Sequence, residues 1–153
     1  MKTETLFSSA SMEWETPPGI FAVLNREFHF TLDVAASEKN HLCERYFTKE
    51  TDGLSQSWQT DGAVWCNPPY GRDIIKWVRK AHDEAQTGQV IVMLLHARTD
   101  TRWFHEYVYP FAKLVFLRGR LKFGLNGEPG KVNAPFPSMI AVYNFKNAED
   151  IYG

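Results

Sequence analysis

Six consecutive apolar residues, Val90 to Leu95, constrain this chain's fold more than any other feature. A strand with one wet face alternates apolar and polar residues. An unbroken apolar run of this length reads as a strand covered on both faces, as in a sheet lined by helices. Ala63 to Cys66 is a second apolar run, stopped by Pro68 and Pro69. Phe28 to Val34, Leu114 to Leu117 and Ser138 to Phe145 read as further strands. Between them lie helical patterns. Asp73 to Ala85 sets Ile74, Trp77, Val78, Ala81 and Ala85 on one face, and Gly88 is placed to end it. Pro17-Pro18-Gly19 opens a short helix over Ile20 to Leu24. Ser37 is placed to cap a helix running through Leu42 towards Tyr46, and Thr101 to Tyr109 reads as a helix limited by Pro110. Gly124 to Pro137 reads as a loop or loose hairpin. Alternating strands and helices of this kind predict an α/β domain with a largely parallel sheet. One domain over 1–153 fits the length, and 44% hydrophobic residues suffice for a core.

The net charge of -1 excludes a globally basic nucleic-acid binder. The charge is nonetheless uneven. Residues 1–64 hold 5 Lys/Arg against 10 Asp/Glu, whereas residues 98–131 hold 7 against 3. A polyanion would meet the second region, although a solvated surface has the same composition. Cys43 and Cys66 form no CxxC pair, and no His/Cys/Asp cluster has ligand spacing, so neither a disulfide framework nor a metal is expected. The opening MKTETLFSSA lacks the apolar segment of a secretory signal, and no run is long enough to span a bilayer. A reduced, cytoplasmic protein with no membrane partner is therefore expected. The polar tail from Lys146 is expected to fray. Nothing in the sequence sets an oligomeric state.

Asn67-Pro68-Pro69-Tyr70 carries the most chemistry. It follows an apolar strand and precedes Gly71 and a helix, the position where open α/β sheets hold ligands. The Asn67 side chain and the Pro68 carbonyl offer two acceptors, and Pro68 and Pro69 bring no competing N–H. Two adjacent acceptors can hold both hydrogens of an NH2 group and free the nitrogen lone pair for attack on an electrophile. Tyr70 offers a flat ring against which a planar group can stack. A proline-ended strand with a buried tyrosine has the same sequence.

Other segments add candidate ligand contacts. Leu32-Asp33-Val34-Ala35-Ala36 ends a strand in an acid followed by small residues, which allow close approach to the backbone. A plain strand-to-helix turn reads alike. Trp14, near Thr16 and Pro17, either closes over a ligand or plugs the core. Asp52, before Gly53, either takes a ribose hydroxyl or makes a turn. Arg98 and Arg102 follow one predicted strand, and Arg118, Arg120 and Lys122 follow another. Arginine with threonine hydroxyls suits phosphate contact, and salt bridging at a sheet edge is the alternative.

Taken in order, Trp14-Glu15-Thr16-Pro17, Leu32 to Ala36, Asp52-Gly53-Leu54, Trp65 to Tyr70, Leu94 to Asp100 and Arg118 to Phe123 resemble the phage-type, Dam-like DNA N6-adenine methyltransferases. The resemblance runs from Trp14 to about Val142. It implies a class I, Rossmann-like methyltransferase sheet with helices on both faces, S-adenosylmethionine as methyl donor, and adenine N6 in double-stranded DNA as acceptor. It implies that Asp33, Ala35 and Ala36 line the cofactor site together with Trp14, Asp52 and Asn67, and that Thr16 and Pro17 close it. Asn67, Pro68, Pro69 and Tyr70 would hold the rotated base. Protection of phage DNA from host restriction is an implied purpose. Two positions depart from the pattern. His96 stands where a proline usually follows the apolar strand, and Asn67 replaces the Asp frequent in DNA amino-methyltransferases. Asn at that position is shared with enzymes that methylate protein glutamine, so protein glutamine N5-methylation is the rival activity. A catalytically inactive nucleic-acid-binding module is the rival without chemistry.

Overall fold

A computed structural model describes residues 14–145. The opening MKTETLFSSA and the tail from Lys146, whose fraying was expected, lie outside the described residues. Five strands form one sheet in the order β1-β2-β3-β7-β4, and a separate hairpin pairs β5 with β6. The strands are β1 (Phe30–Asp33), β2 (Ala63–Cys66), β3 (Ile91–His96), β4 (Ala112–Phe116), β5 (Lys122–Leu125), β6 (Glu128–Asn133) and β7 (Ser138–Tyr143). β1, β2 and β3 are parallel. β7 runs antiparallel between β3 and β4. Four of these five strands thus run the same way and β7 runs against them, so the sheet is mostly parallel, as expected, with one antiparallel strand inserted. Burial explains the order: every residue of β2, β3 and β7 is buried, whereas β4 at the edge exposes Lys113, Val115 and Phe116.

Among the described residues, two α-helices brace the sheet. α1 (Pro18–Phe28) starts on Pro18, whose fixed φ and missing N–H suit a first turn. It ends at His29 in the left-handed region, with φ 56°. Its Phe21 and Phe28 stack on Phe30, and Phe21 meets Trp65 edge-on. α2 (Ile74–Ala85) buries the predicted Ile74, Trp77, Val78, Ala81 and Ala85. Gly88, at φ 95°, ends the turn by donating to the Ala85 carbonyl. The Asn144 side chain caps the same carbonyl at 2.6 Å and ties β7 to the helix end. Among the described residues, no helix is long and apolar enough to cross a membrane, and no cluster of His, Cys, Asp or Glu could hold a metal ion.

One expected helix is missing, and two other expected elements take a more specific form. The helix from Ser37 towards Tyr46 is absent. Ser37 and Asn40 instead exchange backbone hydrogen bonds, and Asp33 draws in the Leu42 N–H through Oδ2 at 3.0 Å. The backbone of Arg45 and Phe47 then pairs with Asp33. A tertiary acceptor at the end of β1 thus unwinds what local capping would have coiled. Between Thr101 and Tyr109 the chain forms a π-helical turn, Phe104–Val108, closed by the Tyr109 N–H on the Phe104 carbonyl at 2.8 Å. Gly124 to Pro137 is largely ordered hairpin: Asn126 (φ 53°) and Gly127 (φ 82°) make its tight turn, as an Asn-Gly pair favours.

Candidate active site

The C-terminal ends of β1, β2 and β3 meet at one edge of the sheet, which brings Asp33, Asn67 and the segment after His96 together. Beside them opens a cavity of about 240 Å³. Its wall includes Trp14, Thr16, Asp33, Ala35, Ala36, Asp52, Asn67, Pro68 and Pro69, all named from the sequence. Pro17 and Tyr70 are not in its lining. The walls also include Glu15, Ser37, Asn40, Thr48, Lys49, Gly53 and Trp77, which the sequence reading did not select. Only Gly53 carried a usable signal. A Cβ there would stand 2.2 Å from the Val34 carbonyl oxygen, so the loop passes this strand end only as glycine.

Asn67 is held by the segment before α1. Its Nδ2 donates to the Trp14 carbonyl and to Thr16 Oγ1, the latter at 3.1 Å. A backbone carbonyl accepts only, so the opposite amide orientation would set two oxygens face to face. Oδ1 of Asn67 is left buried without a hydrogen-bond partner. A buried acceptor with no partner loses its hydration without compensation, typically about 1–3 kcal/mol, and an incoming N–H donor relieves it.

Asp33 is 3% exposed. Its carboxyl accepts from the Leu42 N–H at 3.0 Å and the Ala35 N–H at 3.4 Å. Burial outweighs these donors and pushes its pKa up to about 6. A buried acid of this kind at a cavity wall suits a cationic ligand. Asp52 is the turn residue of the two readings given for it, at φ 55° with its carboxylate accepting the Leu54 N–H at 3.3 Å, and it also lines the cavity.

Trp14 is 6% exposed and rests edge-on against Phe123 and Phe136. Tyr70 is 5% exposed and donates its hydroxyl to the Leu94 carbonyl at 2.8 Å. Its ring meets His96, Phe136 and Phe123 edge-on. The Tyr70 ring, expected to offer a stacking face, is enclosed by this aromatic packing. Glu15 links the site to the β5–β6 hairpin, with reciprocal backbone bonds to Gly124 and a carboxylate that accepts the Gly127 N–H at 2.9 Å.

The five basic candidates are all exposed. β3 and β4 are both antiparallel to β7, so they run the same way. Arg98 and Arg102 after β3, and Arg118, Arg120 and Lys122 after β4, thus leave the sheet at the edge that carries Asn67. Arg102 is held by Glu106, Nε to Oε1 at 2.5 Å. Cys43 and Cys66 are free and buried.

A family model described as DNA N-6-adenine-methyltransferase (Dam) matches residues 3–151. The chain belongs to this family. It is 36% identical over 116 residues to a DNA N-6-adenine-methyltransferase of Escherichia phage T1, an alignment covering 75% of this chain and 48% of that protein. A DNA N-6-adenine-methyltransferase of Haemophilus phage HP1 is 30% identical over 121 residues, covering 77% of this chain and 69% of that protein. The chain thus spans about half the length of the phage T1 relative and about two thirds of the HP1 relative.

Proposed function

We propose that this chain transfers a methyl group from S-adenosylmethionine to the N6 amino group of adenine in double-stranded DNA. The carrying observation is the buried, partnerless Oδ1 of Asn67 beside a cavity whose wall holds a buried acid. The family membership supports the same reaction. The parallel β1–β2–β3 core supports reading the sheet as class I, Rossmann-like, with the ligand at the strand ends.

Asp33 suits the cofactor's positive charge, and Trp14, Ala35, Ala36, Asp52 and Asn67 form the rest of its wall, with Thr16 and Pro17 at the closing segment. When bound, S-adenosylmethionine supplies an electrophilic methyl group on its sulfonium. A target adenine leaves the helix at a cost of a few kcal/mol. Asn67 Oδ1 and the Pro68 carbonyl accept the two N6 hydrogens and align the lone pair. Pro69 keeps the turn free of a competing N–H, and Tyr70 bounds the ring. Trp14 and Thr16 hold the Asn67 amide in the accepting orientation. Arg98, Arg102, Arg118, Arg120 and Lys122 take the phosphates, which carry no base information but fix the register. Such an enzyme works in the cytoplasm of a host bacterium.

Incubation of the purified chain with S-adenosylmethionine and either duplex DNA or glutamine-containing peptides, followed by mass analysis of nucleosides and peptides, tests the reading. N6-methyladenine is expected. Methylated glutamine, N4-methylcytosine or no transfer would overturn it.

A further inference from the structure

Two further buried polar atoms, His96 Nδ1 and Ser138 Oγ, have no hydrogen-bond partner. Both residues are almost wholly enclosed, His96 at 5% and Ser138 at 1% exposure. They are direct partners across the antiparallel β3–β7 pair, so their side chains share one face of the sheet. Two adjacent orphaned groups are costly unless something else binds them. Burial, helped by Arg98, pushes the His96 pKa down to about 4, so at neutral pH the ring carries one N–H and one acceptor nitrogen.

The surroundings are aromatic. Tyr70 lies 4.8 Å from His96 and Trp103 lies 5.3 Å from it, centroid to centroid. Phe136 fills the centre, at 5.4 Å from Tyr70, 5.5 Å from Trp14 and 5.6 Å from His96. It sits on a short strap between β6 and β7, buried between exposed Pro135 and Pro137. A flat ring enclosed by aromatic walls, beside unsatisfied polar groups and next to the NPPY turn, occupies a space suited to a planar heterocycle.

We propose that Phe136 plugs the target-base pocket in the free protein, and that His96 and Ser138 bind the ring nitrogens of the adenine that displaces it. The inference rests on the adenine reading above. It assigns the polar contacts that the amino-holding pair leaves open: Asn67 and Pro68 take the N6 hydrogens, and the donors of His96 and Ser138 meet acceptor nitrogens of the ring. The two side chains are specificity determinants, with no part in moving a proton.

The test compares duplexes carrying adenine, 1-deazaadenine or 7-deazaadenine at the methylated position, for the unaltered chain and for His96→Leu and Ser138→Ala, with thermal unfolding measured in parallel. The unaltered chain should lose about tenfold in kcat/KM on one deaza analogue, the worth of one hydrogen bond. That loss should vanish in at least one variant, while the unfolding temperature holds or rises because an unsatisfied buried group has been removed. Equal analogue penalties in all three proteins, or no penalty in any, would overturn the assignment. So would a drop in stability with unchanged analogue discrimination, which would make the pair structural. Failure of the unaltered chain to methylate the adenine duplex would overturn the adenine reading itself, and this inference with it.

Discussion

Thr16 Oγ1 lies 3.1 Å from Asn67 Nδ2, and this contact, with the one to the Trp14 carbonyl, fixes the amide so that its Oδ1 is left buried without a partner. Fifty-one residues separate the two side chains, so the orientation of the Asn67 amide is set by the segment that also walls the cavity.

Asn67→Asp is therefore not conservative here. The carboxylate keeps an acceptor for the substrate but opposes the Trp14 carbonyl with an oxygen. Weaker S-adenosylmethionine binding is expected, by about tenfold for one lost hydrogen bond and one new repulsion. Calorimetry on the folded variant checks this. An unchanged dissociation constant would show that the segment does not depend on the amide.

Asp33 should make cofactor binding pH-dependent. Its folded pKa of about 6 lies above the ordinary 3.8, so the folded chain holds this proton more tightly than the unfolded one. The group favours folding most below about pH 4, and that contribution, on the order of 3 kcal/mol, is lost as the pH rises towards 6. A cationic ligand prefers the ionised form. The affinity for S-adenosylmethionine should thus fall as the pH drops from 7 to 5, and Asp33→Asn should bind weakly with a flat profile. A flat profile in the unaltered chain would make Asp33 structural.

Tyr70→Phe removes a buried hydrogen bond to Leu94 and should cost about 1 kcal/mol of stability while most turnover survives. Tyr70→Ala empties an aromatic cluster and should cost about 3–5 kcal/mol. Thermal unfolding and turnover measured together decide the point. Equal losses of activity in both would assign the role to the hydroxyl rather than the ring.

The chain's readable and unreadable parts follow physical lines. β2, β3 and α2 were legible because continuous apolar runs and a helical stripe are local signals, and their predicted core residues are buried. The direction of β7 was not legible, because a buried strand has the same composition in either sense. The 37–46 segment misled because the acceptor that organises it, the Asp33 carboxyl, acts on Leu42 across nine residues. The hairpin within Gly124 to Pro137 was legible from its Gly, Pro and Asn content, and Asn126-Gly127 makes its turn. At the site, residue types named the walls, but the closure of Tyr70 by Phe136 and the tie from Glu15 to the hairpin depend on tertiary contacts.

DNA binding should weaken steeply with salt, with a slope near -0.9 per phosphate contact on duplex DNA. Arg118→Ala or Arg120→Ala should flatten that slope by about one unit where the side chain meets a phosphate. Arg102, already held by Glu106, should contribute less than the other arginines. Titrations at several salt concentrations measure this, and binding indifferent to salt would remove DNA as the partner.

The most direct measurement of the account is the single-turnover rate of methyl transfer by Asn67→Ala, at saturating DNA and S-adenosylmethionine, with the fold checked by unfolding. Loss of the Oδ1 acceptor should raise the barrier by roughly 3 kcal/mol, about a hundredfold in rate. A rate near that of the unaltered chain would contradict the claim that this buried acceptor holds the reacting amino group.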